Sequence, residues 1–148
     1  MANHLRRQIR EAIAIAVTGL PTTGARVYES RVYPLQDSNL PGLLVYTENE
    51  TSERRTLAAP GLMVRTLRVV VRAVAKAASN LDDALDQICK EVEIALAMPN
   101  ATVSMAKSIT LVATDIEMQG TAEKPTGHAA MTYEVVYIAA ENAPDVAQ

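Results

Sequence analysis

Residues 63–96 read MVRTLRVVVRAVAKAASNLDDALDQICKEVEIAL, and this stretch decides the fold, because the hydrophobic period changes inside it. From Met63 to Ala75 apolar side chains alternate. Leu67, Val69, Val71 and Ala73 share one face, while Arg68 and Arg72 mark the other, with Val70 and Val74 between them. A period of two is the signature of a strand, and one wholly apolar face opposite a mixed face predicts a sheet covered on one side. From Leu81 onward the period lengthens, and Leu81, Leu85, Ile88, Cys89, Val92, Ala95 and Leu96 fall on one helical stripe. Ser79 or Asn80 is the expected N-cap, each with an aspartate three residues on (Asp82, Asp83). Asp82, Asp83 and Asp86 suit the positive end of the helix dipole, and Pro99-Asn100 ends the element.

Working toward the N-terminus, Leu5, Ile9, Ala12, Ile13, Ala16 and Val17 predict an amphipathic helix from about Asn3 to Thr18, with Arg7, Arg10, Glu11 and Ala14 on its far side. Gly19 and Pro21 stop it. A strand is expected near Ala25–Arg31, centred on Val27 and Tyr28, and Pro34 demotes its end to an edge or an exit. Leu43–Thr47 reads as a buried strand, and the polar run Glu48–Leu62 as a long loop.

Toward the C-terminus, Ile109, Leu111 and Ala113 alternate with Thr110 and Thr114, after which Ile116 and Met118 become the apolar positions. That change of phase predicts a β-bulge near Ala113–Asp115. Gln119–Gly127 reads as a hairpin loop, and Ala129–Ala139 as the last strand, with Met131, Tyr133, Val135 and Tyr137 on one face. The order α-β-β-β-α-β-β predicts an α+β fold, a two-layer sandwich in which two helices cover one face of a mostly antiparallel sheet of four to five strands. Residues 1–140 are expected to form one domain and 141–148 a flexible tail.

Composition bounds what such a domain can do. The chain has 148 residues, enough for one core without a metal or disulfide, and its single cysteine cannot form an internal bridge. Its 49% apolar content includes no Phe or Trp, so the core is expected to be aliphatic. A net charge of −3 gives no argument for nucleic acid or an anionic membrane surface as a partner, and neither is expected. The longest early apolar run, AIAIAV, is too short for a secretory or membrane-spanning segment.

No reaction is legible. His4 and His128 stand far apart without neighbours at ligand spacing, Cys89 belongs to an apolar stripe, and the glycines of TGLPTTG and GTAEKPTG match no phosphate-binding pattern. Neither a catalytic residue, a metal site nor a cofactor is expected. Contact residues are a different matter. Arg54, Arg55, Arg65, Arg68 and Arg72 concentrate positive charge around one loop and strand, and Glu123 and Lys124 lie in the second loop. Together they form the candidate assembly interface.

The run Arg6–Leu44, RRQIREAIAIAVTGLPTTGARVYESRVYPLQDSNLPGLL, resembles the tail-terminator proteins of long-tailed bacteriophages. The resemblance continues through LDDALDQICKEVEIAL, SITLVATDIEM, GTAEKPTGHAAMTYEVVY and AENAP, nearly the whole chain, as a pattern of lengths and turns without a catalytic signature. It implies a structural virion protein: a homo-oligomeric, hexameric ring at the head-proximal end of the tail. Such a ring binds the tail-tube protein, stops tube growth and presents a surface to a head-completion or neck protein, after assembly in the host cytoplasm. Other neck, minor tail or tail-completion proteins are the nearest alternative, and a small α+β ligand-binding domain or enzyme is the alternative from another class.

Overall fold

The computed structural model describes residues 2–29, 31, 37–77, 79–119 and 125–148. Two helices, α1 (Leu5–Ala16) and α2 (Leu81–Ala95), cover one face of a sheet formed by β1 (Val27–Tyr28), β2 (Gly42–Arg54), β3 (Leu62–Lys76), β4 (Ser108–Gln119), β5 (Thr126–Ala140) and β6 (Ala143–Ala147). The strands lie in the order β1-β2-β3-β5-β4, and β6 pairs with the end of β5. Every pairing is antiparallel except the short β1–β2 contact. The α+β sandwich expected from the periodicities is therefore the fold, with a sixth strand added.

The core lies where the stripes meet. Leu67, Val69, Val71 and Ala73 of β3 pair with Val135, Tyr133, Met131 and Ala129 of β5, and their buried side chains face both helices. Leu5, Ile9, Ile13 and Val17 reach this layer from α1, and Leu85, Ile88 and Val92 from α2. Ala14, expected on the wet side of α1, is buried as well. A 3-10 turn at Ala101–Val103 packs beside α1 and widens the covered arc. The N-cap of α2 also differs from expectation. Asn80 adopts a left-handed conformation (φ 57°) and its side chain makes no capping bond, so the capping-box pattern is not used.

The largest departure is at Glu48–Leu62. This segment is not a long loop. β2 continues to Arg54, β3 begins at Leu62, and only residues 55–61 connect them, so the two strands form a long hairpin. The register slips by one between Thr47 and Asn49, a bulge that reverses the faces of β2. Leu43 and Val45 point at the helices before it, and beyond it Glu50, opposite Leu67, takes that orientation. The inward positions of the outer arm are thus polar, and hydrophobic alternation cannot report such a strand.

Three smaller corrections follow from the pairing. Among the described residues of the expected 25–31 strand only Val27 and Tyr28 enter the sheet, and Pro34 lies outside the described residues. The bulge in β4 falls at Val112, between the Leu111 and Ala113 pairs, just before the expected position. Residues 143–147, read as part of a tail, form β6, with the Gln148 N–H donating to the Ile138 carbonyl and Gln8 of α1 donating to the Asp145 carbonyl.

Candidate assembly surfaces

The arginines of the candidate interface do not form one patch. Strand alternation sends Arg65 to the helix side and Arg68 and Arg72 to the open side of β3. Arg65 is largely buried. Its guanidinium lies 3.5 Å from the Glu50 carboxylate, whose other oxygen accepts a 2.5 Å hydrogen bond from the Tyr137 hydroxyl. The His4 ring completes this cluster at 3.3 Å from Arg65, while its Nδ1 accepts the Arg6 N–H and so caps α1. Burial, followed by the Glu50 hydrogen bond, raises the Tyr137 pKa and keeps the proton on the phenol. Burial and the neighbouring Arg6 lower the pKa of His4. The cluster fastens the N-terminus of α1 to the outer arm of β2–β3 as an internal brace.

On the open face, Arg68 makes an exposed ion pair with Glu134 at 3.2 Å. Arg31 and Arg72 flank the Tyr46 ring, with guanidinium carbons 4.9 and 5.7 Å from its centroid. This face holds a shallow depression of about 480 Å³ that also touches Glu48, Asp115 and Thr132, and the Arg72 Nε inside the sheet surface has no hydrogen-bond partner.

At the hairpin tip, Arg54 turns back on its own loop. It donates to the carbonyls of Thr56 (2.9 Å) and Ala58 (3.3 Å) and pairs with Glu141 at 3.3 Å. Glu141 also accepts the Gly61 N–H, and the Thr56 hydroxyl accepts the Leu62 N–H. These bonds hold the connection in one shape and leave Leu57 at its apex with 101% relative exposure. Arg55 beside it is exposed. Glu123 and Lys124 lie outside the described residues.

A second unsatisfied surface lies on the helical layer. The turn after α1 and the C-terminal half of α2 enclose an open apolar groove of about 270 Å³, lined by Leu20, Pro21, Glu91, Ile94 and Ala95. Glu91 braces it, accepting from the N–H and hydroxyl of Thr22 at 2.9 and 2.6 Å and from Gln87 at 2.8 Å. Burial opposes the Glu91 charge, but these hydrogen bonds prevail and its pKa is lowered. Ile94 remains 68% exposed on the rim. Sequence reasoning singled out neither Leu57, a lone apolar residue in the connection between β2 and β3, nor Ile94, which lies outside the apolar stripe of α2.

Among the described residues, the side chains able to carry chemistry do not converge. Cys89 is buried, and burial with Glu93 and Asp86 nearby pushes its thiol up to about 11. His128 pairs with Glu117 at 3.2 Å on the open side of the sheet. Among the described residues no three His, Cys, Asp or Glu side chains are grouped to hold a metal ion.

No protein-family model matches the chain, and no curated protein matches it. Among solved structures, a chain from the virion of a native gene transfer agent particle is similar, at 18% identity over 90% of this chain and 92% of that one, with a TM-score of 0.46. A likeness of that size carries no argument about function.

Proposed function

We propose that this protein is a structural, non-enzymatic component of a phage-type virion, a tail terminator that assembles as a ring on the head-proximal end of the tail tube. The reading starts from the pattern of lengths and turns that resembles that family along nearly the whole chain. The observation that carries it is the β2–β3 arm, a long hairpin whose tip is hydrogen-bonded into a fixed shape around a fully exposed leucine. An isolated domain gains nothing from ordering an apolar apex in water, whereas a subunit that docks gains a preorganised contact. Among the described residues no strand pairs with the outer edge of β4, where Val112, Ile116 and Met118 are between 42% and 49% exposed, a further surface suited to docking.

The test combines the purified chain with tail-tube protein of the same particle and follows particle mass and tube length by mass photometry and negative-stain microscopy. Closed oligomers seated on one tube end, with tubes of limited length, are the expected result. Tubes that grow equally long with and without the protein, and carry no added density at either end, would overturn the terminator assignment.

A further inference from the structure

The structure contains an apolar knob and an apolar groove that one molecule cannot bring together. We infer that Leu57 of one copy seats in the Leu20–Pro21–Ile94–Ala95 groove of the next, a head-to-tail contact between copies of this chain. The inference rests on the assembly reading above, for which it supplies the subunit joint.

Placement supports it first. The tip lies beyond the Leu62–Ala140 pair at one end of β3. The groove adjoins the turn that is tied through Arg26 to the Thr22 and Pro41 carbonyls, and so to the start of β2, whose Leu43 pairs with Ala73. From Leu62 to Ala73 a strand runs roughly 35 Å. The knob lies past the Leu62 end of β3 and the turn that walls the groove is tied toward the other end, so a contact between knob and groove of two copies is heterologous, joining unlike surfaces so that the copies close a ring or extend a filament.

Fit and charge choose a second copy over an unrelated occupant. The groove, about 270 Å³, is large enough for one leucine side chain and is walled by apolar atoms apart from the braced Glu91. Leu57 is fully exposed on a loop that Arg54, Thr56 and Glu141 already hold, so docking orders little more than the side chain itself. Arg55 beside the knob is exposed, Arg54 being held by Glu141, while the exposed carboxylates Asp86 and Glu93 outnumber Lys90 along the groove's helix and Arg26 is turned onto the Thr22 and Pro41 carbonyls. Basic knob and acidic rim are complementary, a match that favours encounter in one orientation.

The test is sedimentation velocity of the full chain, without tube protein, over a concentration series. Leu57→Asp and Ile94→Asp alter exposed positions and are checked for folding by circular dichroism. The wild type is expected to assemble beyond pairs, and each variant alone to associate at least tenfold more weakly, about 1.4 kcal/mol. A mixture of the two is decisive. The Ile94→Asp chain keeps an intact knob and the Leu57→Asp chain an intact groove, so the mixture should form one-to-one pairs and stop there. A monomeric wild type, a variant that assembles as the wild type does, or a mixture that forms no pairs would each overturn the contact. An assembling chain that fails to cap tubes would instead overturn the terminator reading and leave this contact standing.

Discussion

Removing the Tyr137 hydroxyl tests whether the β2–β3 arm is braced from within. In the Tyr137→Phe variant the buried ring stays and the hydroxyl is lost, which donates to Glu50 at 2.5 Å in the wild type and also contacts Arg65. A hydrogen bond to a charged group contributes about 1.5–3 kcal/mol, and this one is the stronger of the two contacts Glu50 makes, because the Arg65 guanidinium stands off at 3.5 Å. The expected loss is about 1.5–3 kcal/mol. Glu50→Ala should cost more. It leaves the Arg65 side chain only 14% exposed, with an Nε that already lacks a partner, and breaking a buried pair from one side costs about 3–5 kcal/mol. The residual access to water puts the expectation near the lower figure. By contrast, Glu134→Ala breaks the Arg68 pair, which is 45% and 35% exposed, and should cost at most about 1 kcal/mol. Urea unfolding followed by far-ultraviolet circular dichroism gives each value, and the Glu50→Ala, Tyr137→Phe double variant closes the cycle. Because both residues lose the same bond, the double should cost less than the sum of the singles. A Tyr137→Phe loss below about 0.5 kcal/mol, the range of ordinary surface changes, or strictly additive singles, would show that the cluster does not brace the arm.

The other expectations are briefer. Leu85, fully buried between α2 and the sheet, should cost about 2–5 kcal/mol on truncation to alanine in the same unfolding assay, and a loss within the surface range would mean α2 is not docked there. Cys89, with its thiol pushed up to about 11, should react with a thiol reagent at neutral pH only as fast as the chain unfolds, and rapid labelling of the folded protein would contradict its placement. The folded state lowers the pKa of His4 from 6.5, so its contribution is present above 6.5 and is lost as pH falls below that value. Stability measured from about pH 7 to 5 should therefore fall less steeply in His4→Gln than in the wild type, and identical slopes would remove His4 from the balance.

Much of this architecture is legible in the chain because burial imposes a period. Alternation alone assigns Leu67, Val69, Val71 and Ala73 to one face, and helical spacing assigns Leu85, Ile88 and Val92 to one stripe, since each position must exclude water and its neighbours in the pattern must do the same. The outer arm of β2 fails for the opposite reason. Its sequence, ENETSER, alternates between solvent and a polar brace, so no apolar period exists to be read, and the bulge at Thr47–Asn49 changes the faces without changing composition. The sequence could place Arg65, Arg68 and Arg72 on one strand, yet alternation by odd and even numbers divides them, and only the inward direction of Leu67 assigns Arg65 to the brace.

The same reasoning explains why the proposed docking surfaces escaped the sequence. An interface that forms after folding leaves no trace in the period of the fold's own core, because its apolar residues sit where that period demands polar ones. Ile94 lies off the Leu85–Ile88–Val92 stripe, and Leu57 lies in a connection where any residue is allowed. Each resembles the scattered apolar exposure of ordinary surfaces. What separates them from it is the cost of their surroundings. The loop under Leu57 uses an arginine, a threonine hydroxyl and a carboxylate to hold one shape, and the groove beneath Ile94 is kept open by a buried glutamate satisfied by Thr22 and Gln87. Side-chain entropy is given up in both places without any gain in core packing. The hydrogen bonds return part of that cost to the folded monomer, and on the proposed reading a subunit whose knob and groove meet recovers more of it at every joint, which favours an assembling protein over a solitary binding domain.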